Sequence, residues 1–357
     1  MKTRLHNLDY LRGLCALSIM GYHYTIFAYE THFSPDDFMQ KIGLYGVSVF
    51  YVLSGLTLFH VYSGSMKPDR DDVIDFFIKR GFRIMPLLWA VVLYNTVLWF
   101  WPGWETILLT LTGLFSLVMP NNDFGTGIWS IGNELAFYLL FPIMMLLFRK
   151  SKVLLAGFAL GVLACYCYFA YHVFPGFGHF HKGAWAAYVN PLNQAFLFVA
   201  GFGAGALLKG REVKNSLALS LLLLSVLVFA FCPVQGADAL ALVQGNTRML
   251  YTLLSVLICL AAYKVTVQLP AVLDTPLRIL GEISYSLYLL HAVVWFTVEE
   301  LAGELYLLPV EARLLICVPA TFVLSYLSYA YFERYFIRLG RRVSAKLTYK
   351  PEMEVVK

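Results

Sequence analysis

Charged side chains are scarce in this sequence. Asp, Glu, Lys and Arg supply 14% of its 357 residues, whereas hydrophobic residues supply 59%. A mean hydropathy of +0.68 is far above that of a soluble domain, which excludes an ordinary soluble fold. The net charge is +5, but the basic residues lie between apolar runs, as topology signals do, and do not indicate nucleic-acid binding. The composition predicts a polytopic membrane protein.

Cysteine is also rare, and no cleavable signal peptide is apparent. The first apolar run lacks a small-residue cleavage site and has full span length, so we expect it to stay as the first helix. All cysteines fall in or at the edge of apolar runs, where they behave as small core residues. We therefore expect neither a disulfide framework nor a zinc or other metal site. These cysteines are Cys15, Cys165, Cys167, Cys232, Cys259 and Cys317.

Long apolar runs are abundant. Ten of them have roughly the 17–25 residues that cross a bilayer. They lie at about 11–29, 42–63, 84–102, 128–148, 152–173, 191–208, 215–233, 248–268, 279–299 and 311–332. The stretch 105–119 is apolar but short, and we interpret it as a re-entrant or interfacial segment. The predicted fold class is an all-α polytopic membrane protein with about ten transmembrane helices.

The basic residues predict how these spans are oriented. With the N-terminus inside, 23 of the 27 Lys and Arg residues fall on the cytoplasmic side, and only Lys41, Lys182, Arg248 and Arg313 fall outside. Making 105–119 a full span would invert every later loop and destroy this asymmetry. We therefore predict that both termini are cytoplasmic.

The chain divides simply. Residues 1–336 form the predicted integral-membrane domain, and residues 337–357 form a basic cytoplasmic tail suited to the membrane surface. No internal repeat, linker or fused extracytoplasmic domain is visible. The predicted location is a cytoplasmic (inner) membrane, with multiple passes.

Arg12 and His23 are the first polar pair of interest. They are eleven residues apart, which on an α-helix places them on one face, roughly 16 Å apart along the axis. An ionisable group inside the bilayer is expensive and usually functional. The alternative for His23 is a hydrogen bond to a neighbouring helix.

Further ionisable or polar residues lie in two other spans. Glu134 lies about six residues below the outer end of its span, which predicts a depth close to that of His23. On the ninth span, Ser284, Tyr288 and His291 share a face, and His291 also falls near mid-membrane. The alternative for His291 is a hydrogen bond within the bundle, and that for Tyr285 is packing.

A cytoplasmic pair of arginines precedes a proline in "FFIKRGFRIMP". Arg80 and Arg83 are three residues apart, and Pro86 suits the first turn of the third span. Positive-inside anchoring explains most basic residues, but two arginines on one face also suit bidentate binding of phosphate.

These residues, in this order, resemble the membrane-bound acyltransferase family 3, whose members O-acylate bacterial cell-surface glycans. The resemblance covers about residues 7–336. Glu134 is followed by Leu135, where the family often has a second glutamate. The matching stretches are "LDYLRGLCALSIMGYH" with its Arg-x10-His pattern, "GVSVFYVLSG", "KRGFRIMP", "WSIGNELAFYLLFP", "LGEISYSLYLLH" and "YFER".

The resemblance implies transfer of an acyl group, acetyl by expectation, from cytoplasmic acyl-CoA to a hydroxyl of a glycan or lipid-linked glycan such as lipopolysaccharide O-antigen. Acetyl-CoA is then a co-substrate, and no tightly bound cofactor is expected. Arg12, Arg80 and Arg83 are the candidates for the coenzyme A phosphates, His23 and Glu134 for catalysis, and Tyr285 and His291 for substrate contact.

Two routes stay open for His23: general base for direct attack by the hydroxyl, or an acylated intermediate. Glu134 is expected either to fix the tautomer of His23 or to contact the acceptor. The loop 174–185, "FPGFGHFHKGAW", is a candidate to shape the acceptor site. Other partners are the lipid bilayer and, undetermined from sequence, a separate extracytoplasmic protein or a second copy.

The competing hypothesis is a proton-coupled secondary transporter that uses His23 and Glu134 as relay groups. It is disfavoured by the lack of an apparent repeat or of paired broken helices.

Overall fold

A computed structural model describes residues 5–67, 69–98, 101–118, 120, 125–301 and 309–348. Within these ranges the chain is helical and contains no β-strand, which confirms the all-helical prediction. Lys2, Arg4 and the last part of the predicted tail, 349–357, lie outside the described residues.

The helices vary widely in length. In chain order they are α1 (His6–Tyr29), α2 (Phe38–Tyr62), α3 (Arg70–Leu98), α4 (Trp104–Thr112), α5 (Phe115–Val118), α6 (Ile128–Lys150), α7 (Lys152–Tyr168), α8 (Lys182–Val189), α9 (Pro191–Leu208), α10 (Asn215–Phe231), α11 (Leu240–Val243), α12 (Gly245–Lys264), α13 (Ala271–Glu282), α14 (Ser284–Leu301), α15 (Val310–Leu327) and α16 (Arg334–Leu347). Short π-helical segments, Phe169–Val173 and Ser328–Glu333, follow α7 and α15.

Seven helical stretches among the described residues are long and apolar enough to cross a membrane, and the bent pair α13–α14 makes eight. These correspond to eight of the ten predicted spans. The first predicted span lies within α1, which has 24 residues, and the seventh within α10, an apolar helix of 17 residues. A multi-pass arrangement is therefore supported, while the count of ten and the side of the termini stay predictions.

α2 lies at the centre of the bundle. Of its apolar window, 78% is buried, against 11% for Lys152–Gly176. It packs on α9, and at Gly55 and Gly201 the two backbones are in direct contact. A Cβ added to Gly55 would lie 2.0 Å from the carbonyl oxygen of Phe198, and one added to Gly201 would lie 2.0 Å from that of Val52. Small residues allow this close approach of membrane helices.

The third span was predicted to begin at about residue 84, which is later in the sequence than the start of the helix. We expected Pro86 in the first turn of its helix, but α3 begins at Arg70, and Pro86 lies inside it. Asp71 and Asp72 occupy the first turn, where carboxylates interact favourably with the helix dipole. Arg80 and Arg83 therefore lie within a long helix rather than at its start.

The ninth predicted span, 279–299, is not one straight helix. It breaks between α13 and α14, which are bent by 67°. Gly281 sits at the break against α1, where an added Cβ would lie 2.3 Å from the carbonyl oxygen of Asp9. The backbones of α13 and α1 thus approach each other closely here, and any side chain at position 281 would clash with the backbone of α1.

In the short predicted segment, the described residues 104–118 fold as two short helices, α4 and α5, with Gly113 between them at a φ of +76°. Neither helix is long enough to span a bilayer. The ring of Phe115 is fully buried, and the indole nitrogen of Trp89 donates to the carbonyl of Leu111 at 2.8 Å. The segment therefore packs against α3 and α6 but is too short to cross a membrane beside them.

The predicted tail does not begin at a structural boundary. Residues 337–347 continue α16, which packs along the start of α3. Gly340 lies against the side chain of Phe82, and the hydroxyl of Ser344 donates to the carboxylate of Asp75. Polar and small residues on one side of α16 therefore dock it on the bundle.

Candidate active site

Five helices enclose a cavity of about 260 Å³ that contains three arginines. We call it the arginine cavity. α1 contributes Arg12 and α3 contributes Arg80 and Arg83, so the three residues predicted to bind phosphate share one space. The other polar lining residues include Ser54, Ser130, Glu134, Tyr138, Ser284, Tyr285 and Tyr288.

The arginine cavity carries an excess of positive charge. Within the described residues, Arg12, Arg80 and Arg83 form no ion pair with an acidic side chain, and the Nε of Arg80 is buried without a hydrogen-bond partner. The single carboxylate of the lining, Glu134, accepts hydrogen bonds from Ser54 (3.0 Å) and Tyr138 (2.6 Å). Three guanidinium groups against one carboxylate make this cavity suited to a polyanion.

Tyr285 holds the wall of this cavity in place. Its hydroxyl donates to the carbonyl of Ile84 at 2.7 Å, which ties α14 to α3 next to Arg83. Tyr285 also lines the cavity, so the predicted contact with a substrate is geometrically available to it.

A second cavity, of about 480 Å³, contains His23. We call it the histidine cavity. Its walls are largely aromatic, and its polar lining includes Gln40 and Asp238. Phe180 and Trp185 come from the end of the loop 174–185 and the start of α8, the region predicted to shape an acceptor site. The aromatic lining is completed by Tyr22, Phe33, Trp129 and Tyr288.

His23 contacts a second histidine rather than a carboxylate. Its Nδ1 lies 2.8 Å from Nε2 of His291, and the two rings are nearly parallel, at 7°. His291 is fully buried, with 0% exposure, and lines neither of the two cavities. The structure thus brings these two residues into direct contact, which their predicted depths alone did not specify, and it gives His291 no access to either of the two cavities.

Glu134 lies in the arginine cavity and accepts hydrogen bonds from Ser54 and Tyr138. Within the described residues it forms no hydrogen bond with His23, so the expected pairing of these two side chains has no support in this arrangement. Because Ser54 belongs to α2, the carboxylate of Glu134 faces that helix. The other expected role, contact with the acceptor, stays a prediction.

The two cavities are separated by a thin wall. Val47 and Tyr288 line both of them. The hydroxyl of Tyr288 lies 2.7 Å from that of Ser130 and 3.3 Å from the carbonyl of Gly127. Arg12 and His23 thus face two adjoining cavities along one face of α1, as their spacing predicts.

Several lining residues were missed by sequence reasoning. Tyr22, Ser54 and Trp129 lie inside stretches that carried the family resemblance, so their motifs could have indicated them. Asp238 carries no such signal. Asp238 accepts hydrogen bonds from the backbone of Phe180 (2.7 Å) and of Leu240 (2.9 Å), which positions the loop over the histidine cavity.

No cluster of three or more His, Cys, Asp or Glu side chains in the described part of the chain could hold a metal ion. His179 and His181 are close to each other, with ring centroids 4.9 Å apart, but they lack a third ligand.

A family model described as an acyltransferase domain, acyltransferase family 3, matches residues 5–330. The chain belongs to this family. The match covers nearly the whole of the membrane domain, so the resemblance seen in the motifs is confirmed, and with it the assignment to a family of transferases.

Two curated members of similar sequence carry consistent names. Acyltransferase MdmB of Streptomyces mycarofaciens is 30% identical over 169 residues, covering 42% of this chain and 42% of that protein. The putative membrane-bound transacylase BcsY of Komagataeibacter xylinus is 26% identical over 220 residues, covering 56% and 50%. The chain spans about half the length of the curated relatives it matches. No solved structure matches it significantly. The transporter alternative gains no support from either name.

Proposed function

We propose that this protein is a membrane O-acyltransferase that moves an acyl group, acetyl in the simplest case, from a coenzyme A thioester to a hydroxyl of a cell-surface glycan. The observation that carries the proposal is the position of His23. It lies in a cavity with several aromatic walls, next to a second cavity lined by three arginines. We further propose that the protein lies in a bacterial inner membrane and that its acceptor is lipopolysaccharide O-antigen.

The arginine cavity is the proposed donor site. Coenzyme A carries three phosphate groups at one end and the thioester at the other, joined by a long, flexible pantetheine arm. Arg12, Arg80 and Arg83 supply guanidinium groups that suit phosphate oxygens. The arm would then follow the face of α1 from Arg12 to His23, a rise of roughly 16 Å.

The histidine cavity is the proposed acceptor site. Aromatic walls with a few polar groups are typical of small-molecule sites, and sugar rings present apolar faces between their hydroxyl groups. Trp129, Trp185 and Tyr22 supply flat apolar surfaces, while Gln40 and Asp238 supply polar atoms beside His23.

His23 is the proposed reacting group. As a general base it would take the proton of the acceptor hydroxyl while the hydroxyl oxygen attacks the thioester carbon. As a nucleophile it would first take the acyl group and then pass it on. Glu134, as part of the donor cavity, is proposed to shape that cavity together with Ser54 and Tyr138 rather than to serve as the partner of His23.

The proposal is tested by transfer of label from acetyl-CoA to glycans extracted from the host, with purified protein in nanodiscs. The His23→Ala variant should lose about 10²–10⁴-fold of the rate, the usual contribution of a general base or acid. His172→Ala is the matched control, because His172 lines neither cavity. Equal transfer by wild type and His23→Ala would remove His23 from the reaction. Absence of transfer by wild type, together with solute uptake into liposomes, would favour a transporter.

A further inference from the structure

His23 of α1 and His291 of α14 form a histidine pair between the two helices. His23 is half-buried and lines the histidine cavity, while His291 is fully enclosed. The rings of Tyr24 and Tyr288 flank His291, with centroids 6.2 and 6.1 Å away. Within the described residues, no acidic side chain forms an ion pair with either histidine. A charge on His291 would therefore be buried without a counter-ion, which is costly, so the neutral ring is the form to consider.

The hydrogen bonds of His291 fix where its proton lies. Its Nδ1 lies 3.2 Å from the backbone carbonyl of Leu287, one turn earlier on α14. A carbonyl oxygen can only accept, so Nδ1 carries the hydrogen. A neutral imidazole has a single N–H, and Nε2 of His291 is therefore an acceptor.

The same reasoning then applies to His23. Its Nδ1 lies 2.8 Å from Nε2 of His291, and since that nitrogen accepts, Nδ1 of His23 must donate. The second nitrogen of His23, Nε2, is left with the lone pair. A backbone carbonyl thus determines, through His291, which nitrogen of His23 is basic.

We propose that His291 is a positioning residue that holds His23 in the Nδ1–H tautomer, so that the lone pair of Nε2 is available in the histidine cavity. This inference rests on the proposed function and assigns a role to a residue that does not itself touch a substrate. In the triad of serine hydrolases a carboxylate orients the catalytic histidine; here a neutral imidazole anchored to a carbonyl does so.

Both chemical routes require this lone pair. In direct transfer, Nε2 takes the hydroxyl proton, the oxygen forms a bond to the thioester carbon, the carbon–sulfur bond breaks, and the leaving sulfur takes the proton from Nε2. In the two-step route, Nε2 bonds to the thioester carbon and the sulfur leaves. The acceptor oxygen then displaces Nε2, and the hydroxyl proton passes to the sulfur. The other tautomer would offer an N–H at the reacting position and could do neither.

The test compares two replacements of His291. His291→Gln can still offer a side-chain oxygen to the Nδ1–H of His23, whereas His291→Leu fills similar space without an acceptor. Tyr24→Phe is the matched structural control. It removes a hydroxyl that bonds to the backbone of His291 and to Thr321 but leaves both imidazoles intact.

We expect His291→Leu to lower kcat for acyl transfer by about 10²-fold or more, with the KM for acetyl-CoA changed by less than about threefold. His291→Gln should recover most of kcat, and Tyr24→Phe should keep it. The inference is overturned if His291→Leu retains wild-type kcat while His23→Ala is inactive, or if His291→Gln and His291→Leu are equally impaired.

A second measurement does not depend on activity. Nitrogen-15 NMR of histidine-labelled protein in nanodiscs should report, for His23, a protonated Nδ1 and an unprotonated Nε2. In His291→Leu the signal should move towards the Nε2–H form. A wild-type protein with His23 protonated at Nε2 would contradict the inference, even if acyl transfer is observed. Lack of acyl transfer by wild type with the expected tautomer would instead refute the proposed function alone.

Discussion

At the scale of single residues, the arginines and the histidine line separate cavities, and we propose separate roles for them. Arg12, Arg80 and Arg83 lie where an anionic donor can be held, and His23 lies in the adjoining cavity. Removing an arginine should therefore affect donor binding, whereas removing the imidazole should affect the chemical step.

Arg80→Ala and Arg83→Ala should each raise the KM for acetyl-CoA by about 10-fold or more, because a hydrogen bond to a charged group contributes roughly 1.5–3 kcal/mol. The kcat at saturating donor should change little. Steady-state kinetics over a range of acetyl-CoA concentrations measures both. Arg70→Ala serves as control, since Arg70 is exposed at the start of the same helix. An unchanged KM in both cavity variants would refute the donor site.

Much of this residue-scale picture could be predicted, but not all. The spacing of Arg12 and His23 places both on one face, since helical geometry alone decides it. The partner of Glu134 could not be predicted, because depth along α6 says nothing about which neighbouring helix its face meets. The role of His291 depends on a hydrogen bond to a carbonyl, which no side-chain pattern reveals.

At the scale of elements, close helix contacts set the shape of the site. α2 and α9 touch at Gly55 and Gly201, and α2 carries Ser54, the partner of Glu134. The contact between these two helices therefore fixes the position of α2, which forms one wall of the arginine cavity.

Gly201→Ala should destabilise the protein by about 1–3 kcal/mol, the usual cost of overpacking, because its Cβ would lie 2.0 Å from the carbonyl oxygen of Val52. Gly203→Ala is the matched control on the same helix, since nothing lies within 4 Å of its added Cβ. Thermal unfolding in detergent should show a lower Tm for the first variant only. Equal Tm values for both variants would contradict the packing described for α2 and α9.

Hydropathy predicted most of the long helices but not their breaks. It placed the start of α3 too late, because charged residues interrupt the apolar ones between Arg70 and Arg83 although the segment is helical. It missed the bend between α13 and α14, next to which Gly281 lies against the backbone of α1. Such breaks result from tertiary packing, and the sequence of one segment does not contain them.

At the scale of the whole molecule, two cavities lie side by side along α1 and share Val47 and Tyr288. Arg12 is near the beginning of α1 and His23 near its end, so the cavities are offset along the helix. The charge asymmetry predicts that the end with Arg12 is cytoplasmic. We propose that the donor enters the arginine cavity from one side of the membrane and that the acceptor enters the histidine cavity from the other.

Sealed proteoliposomes test this claim most directly, with labelled acetyl-CoA confined to the lumen and the glycan acceptor outside, or with both outside. We expect label to reach the acceptor when the two substrates are in opposite compartments and not when both are outside. His23→Ala should abolish the transfer. Transfer with both substrates on the same side of intact vesicles, or only after the vesicles are made permeable, would contradict it.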